Sequence, residues 1–534
     1  MDQRIRKATP YVFYGQTTSL CETCMALVPA KIIIEDGKVF YLKRCKAHGV
    51  QKALVSTEPV YYKLCHDYLK PGDRPLQFQT RTDLGCPYDC GLCPDHEQHS
   101  CLALIDVNDA CNLTCPVCFA DSSTAKTAHR PLVDIERMMD ALVASEGEPD
   151  LLQLSGGEPT IHPQILEIIG AAKRRPIRHL MLNSNGIRIA QDPEFVKALA
   201  GFKPGIEIYL QFDSLRPEAL KTLRGADLTR IRREALEALE KHEISTTLVV
   251  VVKRGVNDDE LGDIINYALQ WKCVRGITFQ PIQDAGRNEN FDPQTDRVVL
   301  SDIRRRIIDA GTAFGEGDII PLPCNPESIA IGYALRKGSQ VAPITSFFPK
   351  EILVDVLPNA ITFEKFPDLH KQVMAFFSLA TAECQHSEKL NALLCCLPDI
   401  PVPEGMGYES IFRIAIVEFM DAHNFCLGRV KRSCIHFVTP AGQIIPFETY
   451  NMFYRDAAAH KRLAISRDSH ESIARYLLRH DAVVRRWMRH FTWWQCRSPQ
   501  PASHSRSCPE WLCPRCDIWL VEGSACRVLH PGGS

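Results

Sequence analysis

The chain has 534 residues, of which 45% are hydrophobic and 24% charged, and its formal net charge is −2. This composition is typical of a globular protein and excludes a mainly disordered or collagen-like chain. A net charge near zero argues against a nucleic-acid-binding protein. Apolar runs are short, such as 248–252, and the N-terminus lacks the apolar region of a secretory signal. We therefore expect a cytoplasmic protein without transmembrane segments.

Cysteine is the residue type that needs an explanation, because there are 23 cysteines and 11 of them fall within the first 118 residues. In a cytoplasmic protein, clustered cysteines indicate metal ligands or redox groups rather than disulfides.

Residues 1–75 predict a small β-rich metal-binding domain. Asp36-Gly37 separates two β-rich runs, which is the pattern of a hairpin. The pairs Cys21/Cys24 and Cys45/His48 lie on either side of it. Two such pairs bridged by strands predict a tetrahedral Cys3His site of the zinc-ribbon or rubredoxin type, which accepts zinc or iron.

Residues 76–101 form a second region, a loop dense in cysteine, proline and glycine. Four cysteines fall within sixteen residues, and they are Cys86, Cys90, Cys93 and Cys101. The C-x3-C-x2-C spacing with a following cysteine favours an auxiliary [4Fe–4S] cluster. Zinc is the alternative, because C-x2-C also occurs in zinc sites.

Residues 102–282 alternate between strand and helix patterns. Strands are predicted at 102–107, 151–154, 179–182, 205–212, 246–252 and 276–280, and helices at 133–144, 164–173, 193–200 and 259–271, with further helical stretches before His242. About six βα units in series predict an α/β fold with a parallel sheet, closed or partly closed into a barrel.

The most specific motif, Cys111-x3-Cys115-x2-Cys118, follows the first of these strands directly. Three thiolates on one loop can hold three irons of a [4Fe–4S] cluster and leave the fourth iron free for a small molecule. A structural zinc site would need a fourth protein ligand, which this loop does not supply.

A second motif ends the second strand, and its residues are Ser155, Gly156, Gly157, Glu158 and Pro159. The two glycines permit close approach of the backbone to a ligand, and the Glu158 carboxylate can accept a hydrogen bond from an ammonium group.

At these two motifs the sequence resembles the radical SAM superfamily. The resemblance implies a partial (βα)6 barrel in which Cys111, Cys115 and Cys118 hold a cluster that chelates S-adenosylmethionine. It also implies that residues 155–159 bind the methionyl amino group. Val117 stands where the superfamily often has an aromatic residue, with Phe119 nearby. The nucleoside contacts implied at later strand ends are Asn183, Ser184, Asn185, Gln211, Asp213 and Gln280.

The order of the cysteine motifs, together with residues 434–437 and 445–451, resembles one branch of the superfamily. This branch contains tetraether lipid synthase-like and 7,8-dihydro-6-hydroxymethylpterin dimethyltransferase-like proteins. It implies an enzyme that cleaves S-adenosylmethionine to a 5′-deoxyadenosyl radical and functionalises an unactivated C–H bond. Carbon–carbon coupling of lipid alkyl chains is the main interpretation, and methylation of a pterin-like small molecule is the alternative. The implied partners are a small-molecule or lipid substrate and a reduced ferredoxin or flavodoxin.

The branch also implies a second auxiliary cluster, for which the candidates are Cys324, Cys395, Cys396, Cys426 and Cys434. Buried structural cysteines are the rival interpretation. An iron–sulfur electron carrier without a substrate is a rival from another functional class, and a scaffold that binds only zinc is a third.

Residues 283–456 predict an irregular α+β extension, and residues 457–534 a basic tail. Apolar residues within 470–494 recur with helical spacing, opposite a face rich in arginine. This amphipathic helix is interpreted either as packed on the barrel or as in contact with an anionic membrane surface. The segment after 495 is expected to be disordered.

Overall fold

A computed structural model describes residues 9–288, 291–337, 340–346, 411–457, 459–464 and 467. The chain divides into two units, Met1–Ser466 and Arg467–Ser534, and the description below concerns the first unit. The predicted helix at 470–494, the expected disorder after 495 and the cluster candidates Cys395 and Cys396 lie outside the described residues.

The N-terminal region is an antiparallel sheet of four strands in the order β1-β2-β3-β4, which are Val12–Leu20, Leu27–Glu35, Lys38–Cys45 and Gly49–Ser56. The predicted hairpin is confirmed, because Glu35 pairs with Lys38 across the Asp36-Gly37 turn. Asp36 and Gly37 both have positive φ, 49° and 70°, as a tight hairpin turn requires. Helix α1 (Pro59–Asp67) follows the sheet.

The predicted α/β partial barrel is also confirmed. Six parallel strands lie in the order β11-β10-β9-β8-β7-β5. Their bounds are β5 Leu102–Asp106, β7 Leu151–Ser155, β8 His179–Ser184, β9 Ile206–Gln211, β10 Thr246–Val252 and β11 Val274–Pro281. The crossover helices are α2 Leu132–Glu146, α3 Ile165–Lys173, α4 Ile187–Gln191, α5 Pro193–Ala200, α6 Pro217–Arg224, α7 Thr229–Lys241 and α8 Leu261–Ala268.

The extension adds strands to both edges of this sheet. On one edge, β16 (Ile411–Val417) pairs in parallel with β11, and β14 (Ile329–Lys337) pairs antiparallel with β16. On the other edge, β17 (Ile435–Val438) pairs in parallel with β5. The remaining elements are β6 Val117–Cys118, β12 Arg287–Asn288, β13 Ile320–Pro321, β15 Gln340–Pro343, β18 Ile444–Pro446, α9 Leu300–Asp309, α10 Leu427–Lys431 and α11 Phe447–Thr449. The domain boundaries at 75, 101, 282 and 456 remain predictions.

The core explains why the barrel strands read as continuous apolar runs. All five residues of β5 and of β7 are buried, because helices cover one face and the barrel interior the other. Burying each Leu or Ile side chain contributes roughly 1.5–3 kcal/mol. A second apolar cluster, which includes Leu102, Leu104, Phe437 and Phe447, packs along the edge where β5 meets β17. Leu102, Leu104 and Phe447 of this cluster also line the cavity described below.

No helix in the described part of the chain combines the length and the apolar character needed to cross a bilayer.

Candidate active site and metal centres

The three cysteines of the central motif lie on the loop after β5 and line one cavity at the carboxyl ends of the strands. Cys115 is buried, while Cys111 and Cys118 are half-buried. Burial raises the pKa of the Cys111 thiol to about 12, and burial also raises that of Cys115. An apolar pocket of this kind stabilises bare thiolates poorly, so the loop suits thiolates whose charge a bound metal offsets.

The sulfurs of Cys111, Cys115 and Cys118 are spaced more widely than the ligands of a single metal ion. They do not all lie within 4.8 Å of one another, whereas two other groups of ligand atoms among the described residues do. In a tetrahedral zinc site with Zn–S bonds of about 2.3 Å, the sulfurs lie about 3.8 Å apart. A cubane binds each thiolate to a different iron and therefore holds the sulfurs farther apart. The donor set and its spacing fit a [4Fe–4S] cluster.

A short segment clamps the cysteine loop from outside, and no sequence pattern pointed to it. Strand β12 pairs with β6, so that Arg287 lies opposite Cys118. The Arg287 guanidinium donates to the carbonyl of Cys115 at 2.7 Å and to the Asp121 carboxylate at 2.9 Å, and also to the carbonyl of Ser122. These bonds fix the backbone on both sides of Cys118.

Gly286 explains how the clamp can lie so close. It has a positive φ of 65°, and a Cβ there would lie 2.4 Å from the carbonyl oxygens of Cys118 and Phe119. Only glycine fits this approach without displacing the loop.

Gly156 and Gly157 of the second motif pack against the backbone of the segment that precedes Cys111. A Cβ on Gly156 would lie 2.3 Å from the carbonyl oxygen of Asn108, and one on Gly157 would lie 2.0 Å from that of Ala110. Both glycines also line the cavity. Their small size therefore joins the second motif to the segment that leads into Cys111.

Glu158 is fully buried and uses its carboxylate inside the protein. It accepts hydrogen bonds from the Thr160 hydroxyl at 2.6 Å, the Ser184 hydroxyl at 2.9 Å and the Asn185 backbone N–H at 2.7 Å. Burial raises the pKa of Glu158, and these donors oppose that rise. Glu158 therefore holds the turn after β8 in place beside the cavity.

The residues predicted to contact S-adenosylmethionine thus fall into two groups. Six of them line the cavity, namely Gly156, Gly157, Asn183, Asn185, Gln211 and Gln280. The other five are outside the described cavity lining, namely Ser155, Glu158, Pro159, Ser184 and Asp213.

Asp213 has a partner that no sequence pattern indicated. Its two carboxylate oxygens each accept a 2.7 Å hydrogen bond from Arg224, which lines the cavity. Burial disfavours the charged guanidinium, but Asp213 more than offsets this, and the pKa of Arg224 is raised. Burial raises the pKa of Cys115, and the positive charge of Arg224 opposes this rise. A basic residue thus faces the cysteine loop.

The N-terminal Cys3His group has the geometry that its spacing predicts. The ligand atoms of Cys21, Cys24, Cys45 and His48 all lie within 4.8 Å of one another. The Cys24 and Cys45 sulfurs are 3.9 Å apart, and Nδ1 of His48 is 3.5 Å from the Cys21 sulfur. These separations fit one tetrahedral zinc or iron ion.

The structure corrects the grouping of Cys101. The sequence spacing placed it with Cys86, Cys90 and Cys93, but its sulfur lies within 4.8 Å of those of Cys324 and Cys434. The reason is sheet pairing, because Leu102 at the start of β5 lies opposite Ile435 at the start of β17. Cys324 and Cys434 lie 3.5 Å apart, and all three thiols are buried.

Cys86 and Cys90 remain close, with their sulfurs 3.6 Å apart. Burial together with the neighbouring thiols raises the pKa of Cys86, the thiol of Cys90 being the largest influence. The cysteines of 76–101 therefore belong to two clusters of thiols.

The cavity itself encloses about 140 Å³ and is lined mainly by apolar side chains. Phe419 and Phe447 stack with ring centres 3.7 Å apart, and Phe119 packs on Phe447 at 5.4 Å. The polar groups that interrupt this lining are mostly carboxamides. The cavity therefore joins the cysteine loop to an apolar chamber with a few directional polar groups.

Comparison with known proteins gives two family matches. The model described as "Radical SAM superfamily" matches residues 105–268, and the "HMPTM N-terminal zinc ribbon domain" matches residues 13–57. The chain is 31% identical over 486 residues to the 7,8-dihydro-6-hydroxymethylpterin dimethyltransferase of Methanocaldococcus jannaschii. This match covers 84% of the chain and 95% of the relative.

More distant likenesses cover the barrel region. A GTP 3',8-cyclase of Syntrophomonas wolfei is 31% identical over 195 residues, which is 35% of this chain and 58% of that protein. The crystal structure of Streptococcus suis SuiB bound to S-adenosylmethionine aligns with a TM-score of 0.34 and 16% identity, over 39% of this chain and 46% of that one.

Proposed function

The chain belongs to the radical SAM superfamily, in the family of the 7,8-dihydro-6-hydroxymethylpterin dimethyltransferase, and from this premise we propose that it methylates a pterin-like small molecule. It is an enzyme that uses a [4Fe–4S] cluster and S-adenosylmethionine, and an electron carrier without a substrate is set aside. The observation that carries the proposal is the identity to the dimethyltransferase, which extends over 95% of that relative rather than over the barrel alone.

The proposed cluster ligands are Cys111, Cys115 and Cys118. Three features support this assignment: the thiols line one cavity, their spacing is wider than that of a single-ion site, and Arg287 fixes their loop. The chemistry that a bound cluster supplies is reductive cleavage of S-adenosylmethionine to a 5′-deoxyadenosyl radical. The apolar walls exclude water from the chamber, which protects reactive species from side reactions.

The proposed binding site for S-adenosylmethionine combines the carboxamides with the glycines that line the cavity, namely Gly156, Gly157, Asn183, Asn185, Gln211 and Gln280. Arg224 faces the cysteine loop and can pair with the cofactor's carboxylate, while Asp213 holds its guanidinium in place. Glu158 and Ser184 position the Asn185 backbone from below.

We assign the remaining thiols to separate centres. Cys86, Cys90 and Cys93 form the first auxiliary site, and Cys101, Cys324 and Cys434 form the second. The close sulfurs of the second site support this division. The N-terminal Cys3His group binds zinc or iron. The electron donor is a reduced ferredoxin or flavodoxin.

One observation favours a second candidate function, the carbon–carbon coupling of alkyl chains. The chamber walls are largely apolar, with side chains such as Leu102, Leu104 and Phe447. A long alkyl chain needs such walls. In this second function the substrate would be a lipid, and the enzyme would contact a membrane surface to reach it. The pterin proposal is stronger, because it rests on the whole-length relative.

The test is an anaerobic assay of the reconstituted protein with S-adenosylmethionine, dithionite and either 7,8-dihydro-6-hydroxymethylpterin or a lipid with unactivated alkyl chains. We expect pterin-dependent formation of 5′-deoxyadenosine. With further S-adenosylmethionine as the methyl donor and dithionite as the reductant, we also expect S-adenosylhomocysteine and a pterin product heavier by one or two methylene units. If a coupled lipid product forms and the pterin is unchanged, the proposed methylation is wrong and carbon–carbon coupling takes its place as the function.

A further inference from the structure

The cavity continues below the residues assigned to S-adenosylmethionine. Tyr209 lies two residues before Gln211 on β9, and Thr278 lies two before Gln280 on β11, while Gln153 lies on β7 before Gly156. Side chains two residues apart on a strand point to the same face. Gln153, Tyr209 and Thr278 all line the cavity, so they form a second layer, one step deeper in the barrel.

This lower layer places polar side chains in a cavity whose walls are mainly apolar. Gln153 is buried, with 5% of its surface exposed, and it lines the cavity. In the same cavity, the buried Oε1 of Gln283 has no hydrogen-bond partner among the described residues. A buried amide without a partner is unfavourable, which indicates that a ligand group completes it.

The hydroxyl groups of the layer are neutral. Burial raises the pKa of Tyr209 to about 12, so its hydroxyl keeps its proton. That hydroxyl accepts from Nε2 of Gln280 at 3.2 Å and is hydrogen-bonded to the buried Thr278 hydroxyl beside it. Two hydroxyl groups that share one hydrogen bond leave one proton free to be donated to a ligand.

The charge at the bottom of the cavity is balanced. Arg413 lines the cavity, and its guanidinium lies 3.7 Å from the fully buried Glu207 carboxylate and 3.3 Å from the Thr247 hydroxyl. This pairing suits an uncharged ligand better than a nucleotide triphosphate, which would need unpaired cations.

These features select a class of ligand. A carboxamide offers a donor and an acceptor side by side, which matches the edge of a nitrogen heterocycle, as it does for adenine. The apolar side chains of Met181 and Val249 line the same cavity and can contact the faces of a flat ring. An alkyl chain has no hydrogen-bonding group to offer the Gln153 amide.

We propose that Gln153, Tyr209 and Thr278 form the subsite that recognises the flat, uncharged nitrogen heterocycle of the substrate. The inference rests on the proposed function and deepens it, because it assigns the substrate ring to the lower layer and S-adenosylmethionine to the upper one. Gln153 pairs with the ring edge, and the two hydroxyl groups complete the contact.

The test measures binding by the holoenzyme, with cluster and S-adenosylmethionine present, using 7,8-dihydro-6-hydroxymethylpterin in anaerobic calorimetry. Gln153→Leu keeps the side-chain bulk and removes the amide. We expect it to raise the Kd for the pterin by roughly tenfold or more, as for loss of a hydrogen bond to a buried polar group. The Kd for S-adenosylmethionine, measured without pterin, should stay within about twofold of that of the wild type.

Two further variants sharpen the result. Gln443→Leu changes an exposed glutamine in the turn before β18 and should leave both constants unchanged. Thr278→Val keeps the shape of the side chain and should weaken pterin binding in the same direction, so it provides the test if Gln153→Leu does not fold.

The outcomes separate this inference from the proposed function. If the wild type binds the pterin and both cavity variants bind it equally well, the subsite is wrong and the proposed function stands. If the wild type cleaves S-adenosylmethionine but binds no pterin, the pterin function and the subsite both fail.

Discussion

At the scale of single residues, Cys115 in the cysteine loop is important for the proposed chemistry but not for the stability of the fold. Cys115 is buried, but it contacts a cavity rather than the interior of the apolar core. Replacing it therefore removes a proposed cluster ligand while the packing of the strands below is kept.

We accordingly expect Cys115→Ala to lower S-adenosylmethionine cleavage by at least about 100-fold while the secondary structure is retained. The measurement is 5′-deoxyadenosine formed with dithionite, alongside circular dichroism. Cys273→Ala is the matched control, because Cys273 is also buried but lies before β11, away from the cavity lining. It should lose roughly 1 kcal/mol of stability and keep its activity. Cleavage retained in Cys115→Ala would contradict the ligand assignment.

A second prediction at this scale concerns Arg287. Arg287→Gln loses most of the hydrogen bonds that hold the backbone around Cys118, and hydrogen bonds from a charged donor contribute about 1.5–3 kcal/mol each. We expect weaker cluster retention, seen as lower iron per chain after gel filtration and faster bleaching under a chelator. Arg230→Gln, on the exposed face of α7, is the matched control. Equal iron retention in both variants would show that the clamp does not position the loop.

At the scale of elements, local sequence patterns predict the strands and helices of the barrel, but they do not predict which distant strands pair. Strand β10 and helix α5 have the predicted bounds, because an apolar run defines the first and Asp192-Pro193 begins the second. Strands β16 and β17 are equally apolar, but nothing local shows that they extend the barrel sheet. Cys101 was misgrouped for this reason, because its partners approach only when β17 pairs with β5.

The regrouping makes a prediction about metal content. If Cys101, Cys324 and Cys434 hold one metal centre, Cys101→Ala and Cys434→Ala should each lower the bound metal per chain by the same amount. Because both residues serve one centre, the double variant should lose no more than either single variant. Cys86→Ala should lower iron by a separate, additive amount. If the double variant instead loses the sum of the metal lost by the two single variants, Cys101 and Cys434 serve different centres, and Cys101 belongs with Cys86.

At the scale of the whole molecule, the N-terminal sheet is tied to the cysteine loop by a chain of ionic contacts. Glu22, between two ligands of the Cys3His site, lies 2.6 Å from the buried Lys43 and 3.3 Å from His423. His423 in turn lies 3.2 Å from Asp284, three residues before the Arg287 clamp. The metal-binding domain therefore reaches the segment that holds the proposed cluster.

His423 gives this connection a pH dependence. Burial alone would lower its pKa, but hydrogen bonds to Asp284 and Glu22 raise it to about 9, above the ordinary value of 6.5. The folded state therefore binds the proton more tightly, and this stabilisation is fully present below pH 6.5 and is lost as the pH rises through 9. Its size is at most about 3 kcal/mol.

We expect the wild type to lose thermal stability between about pH 7 and pH 9.5 by more than His423→Gln does, since the variant has no proton to lose at this position. The measurement is the difference in Tm between the two proteins across this range, which cancels the titration of all other groups. The ion pair between Arg297 and the buried Asp421 beside His423 is present in both proteins, so it is matched in this comparison. A Tm difference that is constant with pH would show that the contacts of His423 with Glu22 and Asp284 do not stabilise the fold.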